Sequence, residues 1–327
     1  MTPPQDRPAS APPDASPGRF PVQLMYEAAQ LYYLQDANQA DVAKRLSTSR
    51  ATVSRLLSEA RRLGIVKIEV VPPRADDDGL ADATAQALGL DRVWVTPAGD
   101  GARTGAVLAH QLSRALTDVG LRPGDVLLVA SGRTVYDAAQ TELPPLPGVV
   151  VAPAVGGQQE PEAWYQTNEI TREVAARIGG RPVFLYAPAL PSPDLHRILL
   201  DEPTIRGVIE LWETARCAVV GVGAAPLTRS SISASIPTDA AALRDAVGDI
   251  CLRFFDRSGR PVHFAGSDRM MSTGLDLLQR IPVTIAVAGG ADKVLGILAA
   301  ARAGYLNQLV TDSTTAQALL AEAARLN

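Results

Sequence analysis

The amino-acid sequence predicts an α/β protein in two parts, a small helical unit followed by a larger unit built on a mostly parallel sheet. Three observations predict it. An arginine-bearing segment near the N-terminus places Val53, Leu56, Leu57 and Ala60 at helical spacing, which makes one apolar stripe on a helix. From Asp91 onward, short β-branched apolar runs alternate with amphipathic stretches, the pattern of buried parallel strands separated by helices. Between the two parts, the run from Pro72 to Gly79 carries two prolines, three successive aspartates and a glycine, which breaks either periodicity and reads as a hinge.

In chain order, residues 1–21 are rich in Pro, Ala, Ser and Asp. They bury too little apolar surface to offset the entropy of ordering and are expected to be disordered. Residues 22–73 are expected to form a winged helix-turn-helix. A first helix from Val22 to Asp36 places Leu24, Ala28, Leu31 and Tyr32 on one face. Asn38 caps a second helix, Gln39 to Leu46, and Ser49 caps a third, Arg50 to Leu63. Gly64 is placed for a left-handed stop, and the alternation from Ile65 to Val71 predicts a wing strand. Residues 74–90 are read as hinge and linker helix, the helix running from Leu80 to Leu88.

Residues 91–327 form the third region. Strands are expected at Val93–Thr96, Val126–Ala130, Val149–Val155, Val183–Tyr186, Ala218–Val222, Ile250–Phe255, Val283–Ala288 and Gln308–Val310. Helices are expected at Thr104–Val119, Thr134–Thr141, Thr167–Ile178, Ala240–Val247, Asp292–Ala303 and Thr314–Leu326. Phe255 to Arg260 reads as a hairpin turn, so part of the sheet is expected to be antiparallel.

Composition narrows the function. The chain of 327 residues has a net charge of −4, but Val22–Pro73 carries an excess of two positive charges and the body beyond it an excess of six negative ones. A mildly basic head on an acidic body suits a nucleic-acid module joined to a domain of another kind. No apolar run is long enough for a membrane span, and residues 1–21 lack the apolar core of a secretory signal. Cys217 and Cys251, without a CxxC pair, fit buried apolar fillers in a reducing cytoplasm. With His110, His196 and His263 widely spaced, neither a metal centre nor a cofactor is expected.

The third helix carries the chemistry of the head. Its polar face holds Arg50, Thr52, Ser54, Arg55, Ser58, Arg61 and Arg62. The major groove admits one helix, whose N-terminal residues reach base edges. Arg50 and Arg55 can donate bidentate bonds to guanine, and Thr52, Ser54 and the capping Ser49 can reach bases or phosphates. Arg61 and Arg62, at the far end, suit phosphate contacts that position without specifying sequence. A protein-binding helical module with a solvated basic face remains the alternative.

In the body, polar and glycine-containing loops follow predicted strands, where ligands bind in open α/β sheets. Ser131, Gly132, Arg133 and Thr134 lie at a strand-to-helix junction and form a candidate phosphate cradle. Gly156, Gly157, Gln158 and Gly223 lie on further loops. Lys293 can add a cation, and Asp249 and Asp256 can accept sugar hydroxyls. Plainer roles compete: Asp249 as a strand brace, Asp256 as a turn residue, Arg133 paired with a core carboxylate, Thr311-Asp312 as a helix cap, and Trp164 and Tyr165 as core aromatics rather than a cover over ligand.

The head segments Ala28–Tyr33, Gln39–Ala43, Ser49–Leu57, Ala60-Arg61 and Gly64–Val66 resemble the SorC family of bacterial sugar-responsive transcriptional regulators. So, in collinear order, do Ser131–Thr134, Val155–Gly157, Thr167-Asn168, Gly221–Gly223, Gly248–Ile250, Phe255–Gly259, Gly289–Lys293 and Asn307–Asp312. The resemblance implies a Rossmann-like effector domain of the class shared with glucosamine-6-phosphate deaminases, ribose-5-phosphate isomerases and CoA-transferases. It also implies a phosphorylated sugar as effector, a double-stranded DNA operator as partner, and a homo-oligomer, dimer or tetramer. One loop departs from the family's Gly-Trp-Gly-Arg-Thr, with Ala130-Ser131 in place of Gly-Trp. Against the resemblance stands an enzyme reading, a sugar-phosphate isomerase or deaminase with an appended head, although no acid–base or nucleophile–base pair can be assembled from the sequence.

Overall fold

The structure, a computed structural model, describes residues 20–35, 37–66, 77–98, 104–229, 233, 236–237 and 241–326. The chain divides into two units, Met1–Pro73 and Arg74–Asn327.

The first unit contains α1 (Val22–Ala29), α2 (Gln39–Arg45) and α3 (Arg50–Arg62). Beyond α1 the chain widens into a π-helical turn, Gln30–Leu34, which shifts the helix face: Met25, Ala28 and Ala29 are buried, while Leu24, Leu31 and Tyr32 are only partly so. The Asn38 side chain accepts from the amides of Ala40 and Asp41. Ser47, with φ of 48°, makes the turn into α3. The residues Val53, Leu56, Leu57 and Ala60 close the core against Met25, Ala28 and Val42, as their helical spacing predicts. Gly64 stands at φ of 74° past the end of α3, where a side chain would be strained. Of the predicted wing, Ile65 and Val66 are bends rather than strand, and the rest of that run lies outside the described residues.

The second unit opens with α4 (Asp77–Leu88). Asp77–Gly79, predicted as hinge, are the first turn of this helix; residues 72–76 lie outside the described residues. A seven-stranded parallel sheet follows, with β1 (Arg92–Thr96), β2 (Val126–Val129), β3 (Val150–Pro153), β4 (Arg181–Pro182), β5 (Cys217–Val220), β9 (Val283–Val287) and β10 (Gln308–Asp312) in the order β1-β10-β9-β5-β2-β3-β4. Alternate residues of each strand point to opposite faces, and both faces are covered. Trp94, Leu127, Val129, Val151 and Val219 pack with α5 (Thr104–Val119), α6 (Arg133–Ala139) and α7 (Thr167–Ile178). Val93, Val95, Leu128, Ala152 and Val220 pack on the other side with α4, α9 (Pro203–Glu213), α11 (Val294–Arg302) and α12 (Ser313–Leu326). The Trp212 indole of α9 donates to the Pro153 carbonyl at 2.7 Å, fixing that helix to β3. Gly105 of α5 lies so close to α6 that a Cβ there would collide with the Thr134 carbonyl and the Asp137 side chain.

Four expectations need correction. The run Val183–Tyr186 is not strand: β4 ends at Pro182, and the Asn168 side chain takes both backbone groups of Leu185, donating to its carbonyl at 3.1 Å and accepting from its amide at 3.0 Å. Ile250–Phe255 is not one strand but a hairpin joining β6 (Ala246–Ile250) to β7 (Arg253–Asp256), with Cys251 and Leu252 both at positive φ. Of Ala240–Val247, predicted helical, Ala240 lies outside the described residues and the rest is a 3-10 turn at Ala241–Asp245 running straight into β6. Finally, α8 (Pro193–Asp201), α9 and the short α10 (Leu275–Leu278) were not predicted. The hairpin turn predicted after Phe255 is present, between β7 and β8 (Pro261–Val262).

Candidate functional site

In the first unit, the exposed face of α3 is set by its core stripe. Arg50, Ser54, Arg55, Ser58, Arg61 and Arg62 are exposed. Ser49 caps the helix, its Oγ accepting from the Thr52 amide at 3.1 Å and lying 2.9 Å from Thr52 Oγ1. Both hydroxyls are thus partly engaged in holding the N-terminus. Arg62 is paired with Glu59 at 2.5 Å, and Arg61 leans on Ser58 at 3.4 Å. The pairing raises the Arg62 pKa and lowers that of Glu59. Arg50 and Arg55 form no ion pair among the described residues, and their charge is available at the N-terminal half of the helix.

In the second unit, the chain leaves β2 toward β3 and β4, then returns to β5 on the other side of β2 and continues to β9 and β10. The direction of winding therefore reverses between β2 and β5, where the loops beyond the strand ends diverge and leave a crevice. A cavity of about 370 Å³ lies there, a volume in the range of small-molecule sites. Its walls come from the segment after β2 (Ser131 to Val135), from Gln158, Trp164 and Tyr165 after β3, from Gly221 to Ala224, Arg229 and Ser233 after β5, from the Cys251–Leu252 turn with Asp249, and from Asp292 and Lys293 after β9.

Within this cavity Gly132 has φ of 128° and donates its amide to the Trp164 carbonyl at 2.8 Å, tying the segment after β3 to the loop after β2. The Arg133 guanidinium stacks on the Trp164 ring at 4.1 Å instead of pairing with a core carboxylate, so its charge is held in place without being neutralised. Lys293 donates to Thr134 Oγ1 at 3.3 Å, and burial lowers its pKa. Gln158 donates to Ser131 Oγ at 2.8 Å. Asp249 is engaged on both oxygens, by Arg229 at 2.6 Å and by the Leu252 amide at 3.1 Å.

The structure thus brings together Ser131, Gly132, Arg133, Thr134, Gln158, Gly223, Asp249 and Lys293. Asp249 lines the cavity while bracing the β6–β7 turn through the Leu252 amide and pairing with Arg229, the strand-brace role expected as the plainer alternative. Asp256 is not in the cavity wall: it is the turn residue of the β7–β8 hairpin, accepting from Ser258 and Arg260. Gly156 and Gly157 also lie outside the wall. The amide of Gly156 bonds to Met271, and a Cβ there would strike the Ala187–Pro188 backbone, so its requirement is close packing. Thr311 is not in the wall, and Asp312 caps α12 through Thr315. Sequence reasoning missed Arg229, Ser233, Cys251, Leu252 and Asp292. Arg229 lies on a stretch with neither helical nor strand periodicity, and no sequence signal marks it. The Cys251 and Cys217 thiols are pushed up to about 12 by burial, which suits inert fillers rather than nucleophiles.

A helix-turn-helix with an arginine face and an α/β unit holding a polar cavity at its winding reversal define the class of ligand-binding transcriptional regulators. The family model described as "Putative sugar-binding domain" matches residues 60–321. The sorbitol operon regulator of Klebsiella pneumoniae is 31% identical over 311 residues, covering 91% of this chain and 98% of that protein. The deoxyribonucleoside regulator of Bacillus subtilis (strain 168) is 34% identical over 309 residues, 91% of this chain and 97% of that protein. The crystal structure of the full-length sorbitol operon regulator SorC from Klebsiella pneumoniae aligns with a TM-score of 0.76 at 30% identity, covering 91% of this chain and 98% of that one. The chain belongs to the SorC family of transcriptional regulators with a sugar-binding domain. Among the described residues, no helix is long and apolar enough to cross a membrane.

Proposed function

We propose that the chain is a transcriptional regulator whose operator binding, through the exposed face of α3, is controlled by a phosphorylated sugar or related metabolite in the cavity between β2 and β5. The observation that carries this reading is the presence of Arg133 and Lys293 in the cavity wall, neither in an ion pair among the described residues. A phosphate monoester is the anion such a site suits, because a fixed guanidinium and an ammonium offer several charge-assisted donors together. The relatives named for the sorbitol operon and for deoxyribonucleosides support a sugar-derived effector.

In this reading residues 22–73 bind DNA, residues 74–90 connect, and residues 91–327 bind effector and assemble as a homo-oligomer, dimer or tetramer, so that two heads address two half-sites. The parallel sheet with its cavity at the winding reversal supports the Rossmann-like class shared with glucosamine-6-phosphate deaminases and ribose-5-phosphate isomerases. It does not favour their chemistry: Asp249, the carboxylate the enzyme reading would use, is occupied by Arg229 and Leu252. Control requires only that the effector bind the DNA-competent and incompetent states with different affinity. Fluorescence anisotropy with the promoter beside its own gene tests this. Salt-dependent binding that shifts on adding sugar phosphates is expected; no DNA binding in either condition would refute it.

A further inference from the structure

Gln158 is a buried residue, 9% exposed, and its side chain is held at one end only. Its Nε2 donates to Ser131 Oγ at 2.8 Å, while its Oε1 is buried and has no hydrogen-bond partner among the described residues. The indole Nε1 of Trp164, on the same cavity, is likewise buried and unpartnered. A buried acceptor left unpaired costs free energy unless something meets it, and an acceptor and an indole donor on one cavity together match the two-way hydrogen bonding of hydroxyls. Gln158 Oε1 does not suit a fully ionised phosphate, because a carbonyl oxygen would face the phosphate oxygens with no proton between them.

Charge points the same way. Among the described residues three cations, Arg133, Arg229 and Lys293, line the wall against two carboxylates, Asp249 and Asp292. Arg229 is already spent on Asp249. What remains matches one phosphate and not two. The segment after β2 contributes to this, since Ser131 is the residue that fixes the Gln158 amide.

We infer that Gln158 is the specificity-determining residue of the cavity: locked by Ser131, its Oε1 accepts a hydrogen bond from an uncharged hydroxyl, so the site takes a singly phosphorylated sugar or polyol and discriminates against a second phosphate. This rests on the reading of the cavity as the effector site.

Calorimetric titration of the full-length protein with ribose 5-phosphate, glucose 6-phosphate, fructose 1,6-bisphosphate and inorganic phosphate tests it. At least one monophosphate is expected to bind about tenfold or more tightly than the bisphosphate. Gln158→Leu is expected to weaken that monophosphate about tenfold while leaving inorganic phosphate unchanged. Gln158→Lys is expected to bring the bisphosphate to parity or better, and Ser131→Ala, which unlocks the amide without removing it, to narrow the discrimination. Circular dichroism of each variant establishes that it is folded. A wild type that prefers the bisphosphate, which is what an amide turned the other way would give, overturns the inference and leaves the cavity as effector site. So does undiminished monophosphate binding in folded Gln158→Leu and Ser131→Ala. Failure of wild type to bind any of the four probes overturns both.

Discussion

Arg229 and Asp249 form a 2.6 Å ion pair over Gly223, with only 16% and 8% of their side chains exposed. The pair fits because residue 223 has no side chain: a Cβ there would collide with both Asp249 Oδ1 and Arg229 Nη1. Removing one member of a buried pair leaves the other charge unpaired, at a cost of about 3 kcal/mol or more. Asp249→Ala and Gly223→Ala are therefore both expected to destabilise the second unit by that order in urea denaturation. Equal midpoints for wild type and Asp249→Ala would show that the pair contributes nothing.

The face of α3 is not electrostatically uniform. Arg50→Ala and Arg55→Ala are expected to weaken operator binding by about 1–3 kcal/mol each with unchanged thermal stability, since both side chains project from the surface. Arg62→Ala is expected to cost less, because Glu59 already claims that guanidinium. Glu59→Gln, by releasing it, is expected to strengthen binding and steepen its salt dependence. Anisotropy titrations at two salt concentrations read all four, and a larger loss from Arg62→Ala than from Arg55→Ala would contradict this ordering.

Four hydrogen bonds, led by that from the Ser258 hydroxyl, hold Asp256 ionised and lower its pKa from 3.8 to about 2. A carboxylate whose folded pKa is depressed stabilises the fold above its unfolded value, and the contribution is lost as pH falls toward the folded one. Asp256→Asn is accordingly expected to lower stability at pH 7, with the gap from wild type closing between about pH 4 and pH 2. Parallel urea titrations at pH 7 and pH 3 measure it; a gap that stays constant would assign the loss to geometry alone.

The ammonium of Lys293 presents the opposite case. Burial favours its neutral form, so the folded protein binds its proton less readily than the unfolded chain. The resulting deficit is full below the folded pKa and fades as pH rises toward 10.5. Lys293→Met is expected to raise the melting temperature at neutral pH while weakening phosphate binding at least tenfold. A variant that is both less stable and unimpaired in binding would invert the assignment.

Much of this architecture is legible in the residues because single local devices agree with the global fold. Ser49 as cap, the stripe Val53, Leu56, Leu57 and Ala60, and Gly64 as stop delimit α3 to within a residue. The helices Thr104–Val119 and Thr167–Ile178 follow their apolar period without remainder. Legibility fails where a side chain from elsewhere replaces a local signal. Leu185 bonds to Asn168 instead of a neighbouring strand, so an apolar run is read as strand. The Cys251–Leu252 turn has two non-glycine residues at positive φ, and its apolar composition hides the hairpin. For the cavity, the loop Ser131–Thr134 and Lys293 are readable from glycine and charge placement, but the engagement of Asp249 by Arg229 spans 20 residues and leaves no trace in local pattern.

Gly105 has no charge, hydrogen-bonding side chain or place in the cavity wall, yet its missing Cβ lets α5 rest on the backbone of Thr134, a residue that lines the cavity. A library randomised along α5 and selected for regulation would therefore accept many residues at its solvent-facing positions and return glycine alone at 105, marking the cavity from its outer side.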